Sequence, residues 1–297
     1  MTDSTLSRPD TDSSRGLGFA LAAYVMWGFL PLYMKALAHV PTLEVLSHRV
    51  LWSIPVAGLI LVWLGRTGDL KAALRNPRML AMAMLTATLI ACNWGIYVWA
   101  VQHGHTLDAA LGYYINPLFS ILVGAVVLRE TLNRPQLVAV ALAAIAVAIL
   151  TWEAGRLPVL ALGMTLTWAA YAFAKKQLPI GPNQGFMLEV LILSPLALGY
   201  VIWAGFTGQA RFLGPVPADT ALLAVAGVVT AIPLILYANG AKLLRLSTIA
   251  ILQYVSPTLI FLIAVFAFHE PFSQAKMLAF PLIWAALIVY TLGMRRK

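Results

Sequence analysis

The chain has little charge and almost no cysteine, and both shortages exclude classes of protein. Only 10% of its 297 residues are Asp, Glu, Lys or Arg, whereas 61% are hydrophobic, and its mean hydropathy is +0.85. A soluble domain carries about 25% charged residues, so a water-soluble globular fold is excluded. Cys92 is the single cysteine, which excludes intrachain disulfides and argues against a cysteine-based metal cluster.

Enzyme motifs are also missing. The sequence has no H-E-x-x-H, no G-x-S-x-G and no nucleotide-binding P-loop, so transport powered directly by ATP in this chain is excluded. His103, His105 and Asp108 have the spacing of a weak metal site, but a loop before a helix that Thr106 caps is the favoured interpretation. We expect no metal and no cofactor.

Long apolar runs predict an all-α integral membrane protein. A run of about 20 residues crosses the hydrocarbon core as a helix. The first run is interpreted as a transmembrane helix and not a signal peptide, because it is too long and Lys35 precedes its A-x-A-like site. Residues 1–15 are predicted to be a disordered cytoplasmic tail. Ten runs lie near 16–37, 43–64, 79–100, 107–128, 135–152, 158–174, 184–204, 219–239, 247–268 and 274–293.

The net charge of +9 is interpreted as a topology signal and not as a nucleic-acid patch. With the amino terminus inside, the opposite face holds only Lys35, Arg156, Arg211 and Lys276, and every other lysine and arginine outside the runs is cytoplasmic. Positive residues concentrate on cytoplasmic segments, so both termini are predicted to be cytoplasmic. The expected partners are the lipid bilayer and a small-molecule substrate.

A constant offset of 140 residues relates the two halves. Five runs per half is an odd number, so the second half must enter the membrane upside down. We therefore predict two inverted five-helix repeats, 16–152 and 158–293, forming one integrated transport domain, as in many secondary transporters. The matching pairs are Pro55 and Pro195, Trp63 and Trp203, Tyr97 and Tyr237, Tyr114-x-x-Pro117 and Tyr254-x-x-Pro257, and Glu130 and Glu270.

Prolines within the runs remove helical hydrogen bonds. The repeated ones, Pro55, Pro117, Pro195 and Pro257, are candidate hinges, with simple packing kinks as the alternative. The fifth run is rich in alanine and is interpreted as scaffold. It could form an oligomer contact, so a monomer or a weak homodimer is expected.

Ionisable groups inside lipid are costly and mark candidate sites. Arg49 and Glu189 occupy equivalent positions at the 140-residue offset with opposite charge. Arg49 is a candidate substrate-binding residue and Glu189 a candidate for energy coupling. His48, also a candidate, lies one helical turn from Glu44 and is expected to pair with it. The alternative is that these groups only satisfy one another.

Aromatic and amide side chains supply the rest of the candidate lining. Such groups suit a small amphipathic solute, although aromatic residues near span ends also form the interfacial belt. The candidates are Trp27, Asn93, Trp94, Tyr97, Tyr113, Asn116, Trp168, Tyr171, Tyr237, Gln253, Tyr254 and Ser256.

Several stretches resemble the drug/metabolite transporter superfamily, in its ten-helix EamA-type branch and the RarD-like group. They are WGFLPLY from Trp27, LEVLSHRVLWS from Leu43, NWGIYVWAVQHGH from Asn93, LGYYINPL from Leu111, LQYVSPT from Leu252 and HEPF from His269. The resemblance implies a multi-pass carrier of the bacterial inner membrane. Its relatives export amino acids and other small metabolites, and the RarD name is associated with chloramphenicol sensitivity.

These observations favour a secondary exporter of small amphipathic metabolites, most of all neutral or aromatic amino acids, working by alternating access. The alternatives are an exporter of drugs such as chloramphenicol-like compounds, a membrane-embedded lipid-modifying enzyme that would use Glu44 and His48, or a membrane protein without flux.

The first prediction concerns orientation. A reporter enzyme that works only in the cytoplasm should be active when it is fused after Lys297, because the basic residues concentrate on that side. A matched fusion in the segment around Arg211 should give the opposite result. A carboxyl-terminal reporter active outside the membrane would contradict the topology.

Overall fold

The computed structural model describes residues 13–127, 134–155, 157–241, 243–244 and 246–294, and these residues fold as helices without a strand. The helices are α1 Ser14–Ala36, α2 Thr42–Trp63, α3 Thr67–Leu74, α4 Pro77–Gln102, α5 Thr106–Val127, α6 Arg134–Ala154, α7 Val159–Gln177, α8 Pro182–Phe206, α9 Pro217–Ala241, α10 Leu246–Leu252, α11 Val255–Leu262 and α12 Gln274–Met294, with a π-helical turn at Ile263–Ala267.

Seven helices among the described residues are long and apolar enough to cross a membrane, namely α1, α2, α4, α6, α8, α9 and α12. Two shorter apolar segments, Val159–Lys175 and Val255–Ala267, accompany them. The protein is therefore a multi-pass membrane protein. Large apolar side chains such as Trp152, Phe206 and Trp63 lie exposed on the outside of the bundle, as lipid-facing residues do.

The helices follow the predicted apolar runs closely, and their starts repeat. Helices α2 and α8 begin at Thr42 and Pro182, and α4 and α9 begin at Pro77 and Pro217. The starts of α5 and α10, and of α6 and α12, are separated by the same 140 residues. Residues 1–12 of the predicted tail lie outside the described residues. Its last part differs from the prediction, because α1 already begins at Ser14.

The ninth run is not one helix, as the sequence predicted, but is broken between Leu252 and Val255. Pro257 is the third residue of α11, so its missing N–H leaves the carbonyl of Gln253 without a helical donor. Pro117 stands at the equivalent position inside α5, which is continuous. The same proline motif therefore adopts two conformations in the two halves.

One helix was not predicted at all. Helix α3 lies between α2 and α4 and packs against α4 and α8. Its Ala73 is buried in a small cluster with Leu178 and Leu188. The carboxylate of Asp69 accepts a hydrogen bond of 3.1 Å from the Gln184 side chain at the start of α8. Eight residues are too few to produce a recognisable apolar run.

The bundle is assembled mainly from contacts between the two halves. Helix α2 packs on α8 and α9, α1 packs on α9 and α11, and α7 packs on α4 and α5. Helices α6 and α12 pack on each other. A large buried cluster joins residues of α1, α4, α5, α6 and α12, with Tyr114 and Phe280 among its largest fully buried side chains.

The contact between α2 and α9 generates the second prediction. A methyl group on Gly227 would overlap the backbone carbonyl of Trp52, so the helices approach more closely than any side chain permits. Gly227→Ala should destabilise the protein by about 2 kcal/mol, the usual cost of overpacking. Thermal unfolding of the purified protein in detergent measures the loss.

Gly199→Ala is the matched control, because nothing lies within 4 Å of the added methyl group. Alanine is a better helix former than glycine by up to about 1 kcal/mol, so this variant should unfold at the same temperature or higher. Equal stability of the two variants would contradict the close packing of α2 on α9.

Candidate functional site

Arg49 on α2 is a buried cation that contacts α4 and α9. Its side chain on α2 is only 4% exposed. Its Nε donates a hydrogen bond of 3.1 Å to the hydroxyl of Thr230 on α9, and its guanidinium lies over the Trp94 ring at 4.7 Å. Within the described residues no carboxylate forms an ion pair with it, and Nη1 is buried without a hydrogen-bond partner. The guanidinium therefore retains a free donor for an anion.

Three tyrosines surround this cation. Tyr33, Tyr97 and Tyr113 lie near the guanidinium. The Tyr33 hydroxyl is engaged, since it donates a hydrogen bond of 2.7 Å to the carbonyl of Leu222. The buried Tyr97 hydroxyl has no partner among the described residues. Arg49 and Tyr97 thus provide two unused donors in one apolar environment, which is what recognition of a carboxylate requires.

A row of aromatic rings leads away from Arg49. Tyr97 contacts Tyr113 with ring centroids 6.0 Å apart, and Tyr113 meets Trp168 at 6.5 Å. Trp168 meets Tyr171 at 5.8 Å. These separations are typical of interacting aromatic side chains. The row connects α4, α5 and α7, and it unites four of the predicted lining residues.

The row ends at Glu189. The Tyr171 hydroxyl donates a hydrogen bond of 3.3 Å to Glu189 Oε2, and Lys175 Nζ lies 2.6 Å from Oε1. Glu189 is 1% exposed and the Lys175 side chain 20%. Glu189, the candidate for energy coupling, is therefore ion-paired in this structure.

Asn93 fastens two helices. Its Nδ2 donates to the carbonyl of Met164 at 2.9 Å and to the Thr167 hydroxyl at 3.0 Å, both on α7. Asn93 is fully buried, and within the described residues its Oδ1 has no partner. The amide therefore holds α4 against α7 beside the aromatic row.

Two predicted lining residues lie in a separate aromatic cluster. Trp27 contacts Tyr237 at 5.7 Å, and Tyr24, which the sequence analysis missed, contacts both rings at 5.7 and 5.8 Å. Leu252 and Val255, on either side of the α10–α11 break, pack against this cluster.

A third group lies where α5 packs on α11. Gln253 and Tyr254 occupy the break between α10 and α11, and Ser256 and Asn116 are 8% exposed. The Tyr254 hydroxyl is buried without a partner in the described structure. The predicted lining is thus divided among three groups, and only the first contains a buried cation.

The expected pair between Glu44 and His48 is wrong. Glu44 Oε1 accepts hydrogen bonds from the backbone N–H groups of Arg211 at 2.7 Å and Phe212 at 2.9 Å. His48 Nδ1 instead accepts from the Trp52 indole at 3.2 Å, and its ring lies 4.5 Å from that of Phe212. Adjacent backbone donors in a turn hold a carboxylate more firmly than one imidazole does.

A similar correction applies to Thr106. Its hydroxyl has no partner within the described residues. Glu270 caps α5 instead, accepting from the backbone N–H groups of Thr106 at 2.8 Å and Leu107 at 2.9 Å.

His105 pairs with Asp108 at 3.2 Å, and the described residues contain no His, Cys, Asp or Glu group that could hold a metal ion.

The candidate hinges differ in setting. Pro55, Pro117 and Pro195 lie inside helices, whereas Pro257 adjoins the break. Sequence reasoning did not select Thr230 or Tyr33 as lining residues, although Tyr33 ends the WGFLPLY stretch. Lys175 could have been found, because only residues 178–181 separate α7 from α8 and its long side chain reaches back along the hairpin.

The family model and one of the relatives described here are named as transporters. A model of the EamA-like transporter family matches residues 14–152. The uncharacterized transporter YojE of Bacillus subtilis is 41% identical over 94% of this chain and 94% of its own length. Protein RarD of Streptomyces exfoliatus is 40% identical, covering 96% of this chain and 90% of its own.

One solved crystal structure has the same fold, with a TM-score of 0.63 and 20% sequence identity over 96% of this chain and 99% of the other. The two relatives match this chain over nearly its whole length and theirs, at about 40% identity. The chain belongs to the EamA-like transporter family of the drug/metabolite transporter superfamily, in its RarD-like group.

Proposed function

We propose that the protein is a secondary transporter of the bacterial inner membrane that exports small amphipathic metabolites, above all neutral or aromatic amino acids, by alternating access. The observation that carries the proposal is Arg49, a buried cation without a carboxylate partner in the described structure. A guanidinium can bind a carboxylate through two parallel hydrogen bonds, and the aromatic row beside it suits an apolar side chain.

An inverted repeat is the proposed architecture, with ten membrane-spanning segments and both termini cytoplasmic. When each helix is replaced by its equivalent in the other half, a pair of helices that pack together becomes another such pair. The pair α1–α9 becomes α7–α4, α1–α11 becomes α7–α5, and α2–α9 becomes α8–α4. The equivalent residues Glu44 and Gln184 each reach from the first turn of a helix to a connection in the opposite half. Both observations support a two-fold axis in the membrane plane.

Differences between the halves support alternating access. The turn after α1 is held to the end of α4, because Gln102 Nε2 donates to the carbonyls of Leu37 at 2.9 Å and Val40 at 3.0 Å. Helices α1 and α4 pack together, but among the described residues α7 and α9 have no comparable contact. Unequal conformations of equivalent helices are what inverted-repeat carriers exchange during transport.

Two alternatives explain less. A drug such as a chloramphenicol-like compound would use the aromatic row but has no carboxylate for Arg49. A lipid-modifying enzyme would use Glu44 and His48, but these residues hold a turn and an indole. The transporter names of the matching family and of the relative YojE favour transport over catalysis.

Replacing Arg49 provides the third prediction. Arg49→Lys keeps the positive charge but loses the two-point geometry. Counterflow of a labelled aromatic amino acid into proteoliposomes should fall at least about tenfold, the equivalent of about 1.4 kcal/mol. The protein should still insert and purify normally.

Arg78→Lys, at an exposed position, is the matched control and should transport as the native protein does. Decarboxylated analogues should compete poorly with the parent amino acid. Normal flux through Arg49→Lys, or equal competition by amines that lack the carboxylate, would make Arg49 a structural residue.

Energy coupling provides the fourth prediction. Glu189 is held by Lys175 and Tyr171, and an ion-paired carboxylate is a poor proton carrier. We expect an imposed pH gradient to drive no uphill accumulation of solute in proteoliposomes, so that solute moves down its own gradient. Strong uphill flux that Glu189→Gln abolishes would overturn this expectation.

A further inference from the structure

The carboxylate of Glu189 is held differently from those of Glu44 and Glu270. Glu44 and Glu270 accept hydrogen bonds from backbone N–H groups, which cannot leave. The charged partner of Glu189 is the side chain of Lys175, which ends in a single ammonium on a flexible four-carbon stem. That side chain is 20% exposed, whereas Glu189 is 1% exposed. The partner of Glu189 can therefore move away without unfolding a helix.

The surroundings of the Lys175 ammonium match any primary ammonium. Its charge is met by Glu189 at 2.6 Å, and it also lies 5.6 Å from the centre of the Tyr171 ring, in cation–π range. The Tyr171 hydroxyl bonds to the other oxygen of the carboxylate. A carboxylate, a hydroxyl and an aromatic face together form a receptor for a primary amine.

Space at this point is reserved for the ammonium group. A methyl group on Gly185 would lie 3.0 Å from Lys175 Nζ, closer than ordinary contacts allow. Because position 185 has no side chain, a cation can lie against α8 directly beside Glu189. A lysine that served only to join α7 to α8 would not require this open surface.

The surroundings of the Lys175 ammonium, formed by Glu189, Tyr171 and Gly185, are called the pocket below. The aromatic row joins this pocket to Arg49. Every neighbouring pair of rings from Tyr97 through Tyr113 and Trp168 to Tyr171 is in contact. The contacting rings form a continuous apolar surface between Arg49 and Glu189, which would suit the apolar side chain of a solute that passes between them. Its carboxylate would be recognised at one end and its amino group at the other.

We propose that Glu189 and Tyr171 form an ammonium subsite for the transported solute, and that Lys175 fills this subsite until the solute's primary amine displaces it. The identity of the solute as an amine rests on the proposed function, but the subsite itself is tested separately. Lys175 acts as a tethered competitor, so the pocket never exposes an unpaired buried carboxylate.

Binding of phenethylamine, which has a primary amine and an aromatic ring but no carboxylate, tests the subsite. The full-length protein in lipid nanodiscs is titrated and its tryptophan fluorescence recorded. Lys175→Met removes the competitor, so the affinity should rise about tenfold if the pocket is free about a tenth of the time in the native protein. The double variant Lys175→Met with Glu189→Gln should lose this gain.

Lys276→Met is the matched control, because Lys276 forms a part-exposed ion pair of 3.3 Å with Asp108 elsewhere in the protein. It should bind phenethylamine as the native protein does. A gain in affinity that survives Glu189→Gln, or no gain in a folded Lys175→Met variant, would overturn the proposal.

A second measurement uses the native chain, so it tests the proposal even if the Lys175→Met variant does not fold. Displaced Lys175 becomes accessible, so saturating phenethylamine should raise its rate of acylation by an amine-reactive reagent severalfold, as followed by mass spectrometry of its peptide. Lys276 labelling should not change. An unchanged rate at Lys175 would overturn the proposal.

The compound 3-phenylpropionate, which has the carboxylate without the amine, separates this proposal from the proposed function. Its binding should disappear in Arg49→Lys and persist in Lys175→Met. Absence of 3-phenylpropionate binding in the native protein would count against the carboxylate site at Arg49. A Glu189-dependent gain for phenethylamine would still support the ammonium subsite.

Discussion

The structure depends on how each buried charge is satisfied where no water is available. A charged group inside the bilayer costs several kcal/mol unless it is paired or faces a polar cavity. Glu44 and Glu270 meet this requirement through backbone N–H groups, and Glu189 meets it through Lys175. Arg49 has one hydroxyl and one aromatic face, so its requirement is met incompletely. An incompletely satisfied cation is maintained at a cost in stability, and this cost supports the proposal that Arg49 binds a ligand.

The carboxylates that accept hydrogen bonds from backbone N–H groups also join the two halves. Glu44 belongs to the first half and holds the turn at Arg211 and Phe212 in the second. Glu270 belongs to the second half and caps α5 in the first. Backbone donors in a turn or at a helix start are rigid and carry partial positive charge. The two halves are thus held at one face by contacts that resist sliding, while among the described residues α7 lacks comparable packing on α9.

Most of the fold could be predicted from the sequence, because helix length and hydropathy are local properties. The 140-residue offset recurs in helix starts such as Thr42 and Pro182. The break in the ninth run could not be predicted from its motif, since Tyr114-x-x-Pro117 and Tyr254-x-x-Pro257 are the same pattern and only the second interrupts the helix. Neighbouring helices decide between the two outcomes, and their packing is not a local property.

The candidate site was less predictable for the same reason. Residue types indicated Arg49, Trp94, Tyr97 and Tyr113, and the structure groups them. The partner of Glu44 could not be found, because it is a backbone turn 167 residues away. Helical spacing suggested His48, which lies one turn along the same helix. Spacing within one helix cannot reveal donors from elsewhere in the chain, such as the backbone N–H groups of Arg211 and Phe212.

The opposite charges at positions 49 and 189 make the two halves chemically unequal although their helix starts repeat at the 140-residue offset. A perfectly symmetric carrier would present the same group to the solute at both ends of its path. Here one half presents a guanidinium with a free donor, and the other presents a carboxylate already occupied by an ammonium. Under the proposed function, an amino acid on this path would meet a guanidinium at one end of the row and a carboxylate at the other. Because the guanidinium attracts the carboxylate of the amino acid and Glu189 attracts its ammonium, the two sites would orient the same molecule differently, by electrostatics and not by shape.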